Sequence, residues 1–167
     1  MRSFKDAKGR VWSVAITVGT MKRVRALCGV DLYKIIEIGD DGKAPELLTK
    51  LAEDPILLVD VLYAVCKPEA DAINVSDEAF GEGMVGDVIE NATNALLDDL
   101  VDFFPEAKRK VFQKVLQATR RFQAETEKQL NTFLADPELD RKIDSTLKKF
   151  AGSSLKTPGS SASIPTA

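Results

Sequence analysis

In Met84–Phe104, MVGDVIENATNALLDDLVDFF, the residues Val85, Val88, Ile89, Ala92, Leu96, Leu100 and Phe103 recur at three- and four-residue steps. That period places them along one stripe of an α-helix. Asp87, Glu90, Asn91, Asn94, Asp98, Asp99 and Asp102 occupy the other face and read as solvent-facing. Pro105 closes the stretch, because proline disfavours helical backbone in the residue before it. A stripe this long must be covered by other elements. The expected fold is mainly α: a short N-terminal β-hairpin, a compact helical bundle, a long C-terminal helix and a disordered tail.

Upstream, residues 2–18 read as the hairpin. Arg2–Lys5 is one strand, Asp6-Ala7-Lys8-Gly9 the turn, and Arg10–Val18 the return strand, with Trp12, Val14, Ile16 and Val18 on one face. Two strands are marginal alone, so the hairpin must lie on helices or pair with another chain through its exposed edge. Thr20 is a candidate cap for a helix over 21–28, with Met21, Val24, Leu27 and Cys28 inward and Lys22, Arg23 and Arg25 outward. Asp31, Asp54-Pro55 and Ser76 are further cap signals, and Pro45 suits a first helical turn. Gly39-Asp40-Asp41-Gly42 reads as a loop. The strongly apolar helix from Ile56 is expected to break or kink at Lys67-Pro68.

Gly81-Glu82-Gly83-Met84-Val85-Gly86 fits the GxGxxG spacing of dinucleotide sites. No strand precedes it and the surroundings are acidic, so it reads as a loop before the central helix.

Downstream of Pro105, residues 106–134 form a long helix carrying Val111, Phe112, Val115, Thr119, Phe122, Thr126, Leu130 and Phe133 on one side. The polar interruptions make this a helix packed on one side, or a seam of association. Its first half is basic and faces, in sequence, the acidic helix before Pro105, which favours an antiparallel pair turning at Phe104-Pro105. Asp136-Pro137 opens a last amphipathic helix with Leu139, Ile143, Leu147 and Phe150. The Ser/Gly/Pro-rich end reads as disordered. The boundaries that follow are 1–104, 105–150 and 151–167.

The net charge of −3 conceals segregation: residues 1–35 and 105–150 are basic, and 36–104 strongly acidic. Either the ends fold back on the middle or copies pair head to tail. At 44% hydrophobic and 29% charged, the composition is that of a globular protein. No apolar run reaches the roughly 18 residues of a membrane span. The first ten residues lack the apolar core of a signal peptide. Cys28 and Cys66 read as separate buried thiols, which suits a cytosolic compartment. The chain has no histidine, which removes Ser–His–Asp and Cys–His nucleophilic sites, and no P-loop motif. We therefore expect no enzyme activity, no cofactor and no metal. An acidic protein is poorly suited to nucleic acid.

Taken in order, FKDAKGRVWSVAITV, CGVDL, DPILLVDVLYAVC, SDEAFGEGM and GDVIENATNALLDDLVDFFP resemble the tail assembly chaperones of long-tailed bacteriophages and prophages. The resemblance covers about residues 3–105. It implies a non-enzymatic protein of the bacterial host cytoplasm that binds the tape-measure protein, keeps it soluble and helps recruit tail-tube subunits. Such a protein is absent from the mature virion, and many relatives are also made in a frameshifted longer form. Candidate contact residues are the hairpin face (Trp12, Val14, Ile16) and the C-terminal stripe (Phe112, Phe122, Phe133). The alternatives are a structural tail or connector subunit retained in the virion, and a small helical regulator.

Overall fold

The computed structural model describes residues 1–37 and 45–153, and side chains as far as residue 148. Strands β1 (Arg2–Lys5) and β2 (Val11–Val14) pair antiparallel, with Phe4 opposite Trp12. Seven α-helices follow among the described residues: α1 (Val18–Cys28), α2 (Glu46–Glu53), α3 (Pro55–Ala72), α4 (Asp77–Gly81), α5 (Asp87–Phe103), α6 (Glu106–Leu134) and α7 (Pro137–Ser153). A short 3-10 turn, Leu32–Ile36, lies between α1 and α2. The mainly α class with an N-terminal hairpin is as expected. The loop expected at 39–42 and the tail after Ser153 lie outside the described residues.

Chain contacts divide the molecule into Met1–Gln117 and Ala118–Ala167. The first unit therefore extends past Phe104, because Phe112 and Leu116 on the first turns of α6 are buried in its core. Phe112 meets Phe104 edge-on, with ring centroids 5.9 Å apart.

The return strand stops at Val14 because the chain must turn into α1. Thr17 takes extended backbone, and its hydroxyl accepts the Thr20 N–H at 3.1 Å. Thr17, and not Thr20, is thus the cap; Thr20 is buried and donates to the Ala15 carbonyl at 2.9 Å. Val18 opens the helix and is exposed, as is Leu27, which lies beyond the edge of the face formed by Met21, Val24 and Cys28.

Asp31, Asp54 and Ser76 cap as expected, accepting the N–H groups of Tyr33, Leu57 and Ala79. Pro45 stands just before α2. Helix α3, by contrast, does not break at Pro68 but runs through it. Proline has no N–H to give the carbonyl four residues back, here that of Ala64. The Arg23 guanidinium, expected in solvent, donates instead to Ala64 O at 2.6 Å and to Val65 O at 3.1 Å. A side chain from α1 thus satisfies the acceptor that Pro68 leaves free in α3, Ala64 O, and adds a bond to Val65 O.

Helix α5 begins at Asp87, because Gly86 sits at φ 55° just before it. Val85 consequently leaves the apolar stripe and is exposed, while Ala92, Ala95, Leu96, Leu100 and Val101 are buried. Asp99 overturns its solvent-facing assignment at 5% exposure. Its carboxylate accepts the Ile16 N–H at 2.6 Å and pairs with the Met1 amino group at 2.7 Å. Asp102 pairs with Arg2 at 3.1 Å. The acidic face of α5 thus holds the basic N-terminal segment.

Candidate partner-binding surface

The hairpin face is the first candidate surface, and the fold buries it. Trp12 and Val14 are wholly buried and Ile16 nearly so. Trp12 packs edge-on against Phe80 with centroids 4.9 Å apart, and Tyr63 meets the same ring. An aromatic side chain removes on the order of 150–250 Å² from water, roughly 4–6 kcal/mol at 25 cal/mol per Å². Opening this face to a partner would forfeit that. Trp12, Val14 and Ile16 are core residues, and their assignment as contacts is corrected.

The edge of the hairpin is closed by side chains. Ser13 N–H donates to Glu69 Oε2 at 2.8 Å, the Cys66 thiol lies 3.7 Å from Ser13 O, and Ile16 N–H is taken by Asp99. Carboxylates from α3 and α5 replace the neighbouring strand that such an edge otherwise recruits. Burial pushes the Cys66 thiol up to about 12, so it stays protonated and inert at neutral pH.

The turn is fixed by one buried carboxylate. Asp6 accepts the backbone N–H groups of Lys8 and Arg10, the Arg10 Nε at 2.6 Å and the Trp12 indole N–H at 2.9 Å. Burial pushes its carboxyl up, but the hydrogen bonds from Trp12 and Arg10 outweigh this and hold it below the ordinary carboxylate range. Arg10 also reaches Ala79 O at 2.8 Å, and Ala7 N–H donates to Gly83 O at 3.0 Å. A Cβ on Gly83 would stand 2.9 Å from Arg10 Nη2 and 3.0 Å from Asp6 Oδ2. The middle glycine of the GxGxxG-like run therefore serves close packing of the hairpin turn.

The C-terminal stripe divides. Phe112 is core, and its assignment as a contact is likewise corrected. Phe122 and Phe133, at 75% and 59% exposure, stand in solvent with Leu130, Leu134, Ile143 and Leu147. Within the exposed part of the stripe the Thr126 hydroxyl donates to Phe122 O at 2.9 Å. Asp136 caps α7 through Glu138 N–H at 2.9 Å, which sets a firm start for the Leu139, Ile143, Leu147 face. An apolar ridge on regular helices can receive another helix; it offers no reacting group. Among the described residues no three His, Cys, Asp or Glu side chains converge as a metal requires. Among them, too, no helix is long and apolar enough to cross a membrane.

Sequence reasoning missed Asp99, Asp6 and Arg23 as structural polar residues. Comparison with family models, with curated proteins and with solved structures returns no match to this chain.

Proposed function

We propose that the chain is a non-enzymatic tail assembly chaperone, which binds a tape-measure protein and keeps it soluble during assembly of the tail tube. The supporting observation is the exposed apolar side chains at helical spacing on each of the last two helices, Phe122, Leu130 and Phe133 on α6 and Ile143 and Leu147 on α7. Large apolar side chains exposed at helical spacing can serve as binding anchors. A long helical client repeats its own apolar stripe many times, so several weak contacts hold it by multivalency without a deep pocket. Weak contacts also suit a helper that must leave as tube subunits replace it. The client and the role in tails rest on the resemblance of residues 3–105; the ridge supports the binding mode.

Co-expression with a tape-measure protein from the same genome tests this reading. The expected result is a soluble client that co-purifies with this chain and returns to the pellet when Phe122→Ser and Phe133→Ser are introduced together. A client that stays insoluble with the unaltered chain overturns the proposal. A chain found stoichiometrically in purified virions would instead be a structural subunit.

A further inference from the structure

Burial stops part-way along α6. Phe112 and Leu116 are fixed in the core of the first unit. From Ala118 to Lys148 no side chain is buried, and all except Thr119 and Leu139 are exposed. Ordering a backbone costs free energy at every residue, and in most folded chains burial of one helix face is what opposes that cost. Here that contribution is nearly absent, so local terms must hold the helices.

Those local terms are weak. Thr119, Phe122, Thr126, Asn131, Thr132 and Phe133 belong to the types that favour a helix less than alanine and the straight-chain residues do. Thr126, Thr132 and Thr146 turn their hydroxyls back onto carbonyls of their own helices, at 2.9, 2.8 and 2.9 Å, which slightly destabilises a helix. The turns of α6 that carry Phe112 and Leu116 supply a formed nucleus. Beyond them the helix can only propagate, and propagation through such residues stands near balance.

We infer that α6 beyond Gln117 and α7 exchange between helix and coil in the unbound chain, and become fully helical when the Phe122–Phe133 stripe docks on a helix of the client. This rests on the chaperone reading for its partner, but the exchange belongs to the chain alone. Part of the docking free energy is then spent on ordering the chain, which keeps the contact weak and reversible. Helix content, and not only the contact residues, sets the affinity. Residues that never touch the client therefore tune it. Ala124 and Asn131 are such residues, since at 3.6 residues per turn both fall on the side of α6 opposite Phe122 and Phe133.

Hydrogen exchange of the full chain, at a dilution where it sediments as a monomer, tests the exchange without any client. Amides from residue 121 to 133 should exchange within about tenfold of unstructured-chain rates, and those of Leu58–Val65 and Leu96–Leu100 roughly a thousandfold or more slower. Equal protection of the two regions overturns the inference. Titration of the tape-measure protein then tests the coupling. Its binding should slow exchange between residues 121 and 133. Ala124→Gly should bind it about fivefold more weakly, and Asn131→Ala about two- to threefold more tightly, each by its helix preference alone. Unchanged affinity in both variants means that the helix is complete before docking, which also overturns the inference. A tape-measure protein that does not bind at all removes the chaperone reading and the coupling with it, while the exchange rates of the free chain still decide whether this region is helix or coil.

Discussion

Helices α3 and α5 of the N-terminal unit, and α6 and α7 beyond Gln117, carry apolar stripes of the same helical period, yet only the first pair is covered. Leu58, Val61, Leu62 and Val65 on α3, and Leu96 and Leu100 on α5, are buried beneath the hairpin and α1. Phe122, Leu130, Phe133 and Leu147 are not. The polar residues differ in the same way. In the first unit Asp99 and Arg23 reach across the fold to distant backbone groups, and Asp6 ties its turn to the Trp12 indole. Beyond Gln117 the hydroxyls of Thr126, Thr132 and Thr146 bond within their own helices. The first unit buries most of its apolar stripes within itself; the second leaves its own exposed.

The sharpest way to break this contrast is Trp12→Ala, which empties the site against Phe80 and leaves Asp6 without its indole donor. It should cost about 3–5 kcal/mol, read as a lower urea midpoint with an unchanged slope. A cost below 1 kcal/mol would mean that the hairpin is not part of the core. Next, Arg23→Ala should cost about 1–3 kcal/mol by leaving the Ala64 carbonyl without a donor. In a Pro68→Ala background the cost should shrink, because alanine restores the N–H for Ala64 O. Strict additivity in that double-mutant cycle would remove the link between the two residues.

The pH dependence of stability sharpens the role of Asp6. Its carboxyl titrates lower in the folded chain than in the unfolded one. At acidic pH the unfolded chain therefore binds the extra proton, and stability rises with pH. The contribution is complete above the unfolded value of about 4 and disappears as pH falls through the folded one. Denaturant midpoints between pH 6 and 2 should fall less steeply in Asp6→Asn, which starts less stable. Thiol labelling gives a kinetic version: Cys66 should react only when the first unit opens, and Cys28, half-buried, sooner. Equal rates would show that α3 is not protected. The smallest effect is expected beyond Gln117, where Phe122→Ser with Phe133→Ser should move stability by no more than about 0.5 kcal/mol. A larger loss would mean that the ridge is already covered.

Much of this was legible in sequence because it is local. Asp31, Asp54 and Ser76 cap helices whose bonds close within three residues, and the periods of α3, α5 and α6 follow from side-chain spacing alone. Thr17 and Thr20 show where local reading fails: either could cap, and the Ala15 carbonyl claims the second. Asp99 was indistinguishable from Asp98 in sequence, since what buries it is the amide of Ile16, 83 residues away. Of the six candidate contacts, all apolar and correctly spaced, Trp12, Val14, Ile16 and Phe112 went to the core, while Phe122 and Phe133 stayed outside.

The amino-acid sequence by itself thus determined the helices, their caps, the hairpin turn and the segregation of charge, because each depends on neighbours within a turn or two. Tertiary structure alone decided which stripes are covered, which carboxylates are buried and which guanidinium completes α3 at Pro68. Burial and long-range hydrogen bonds are properties of surfaces brought together, and two helices with the same pattern differ only in whether another element lies against them.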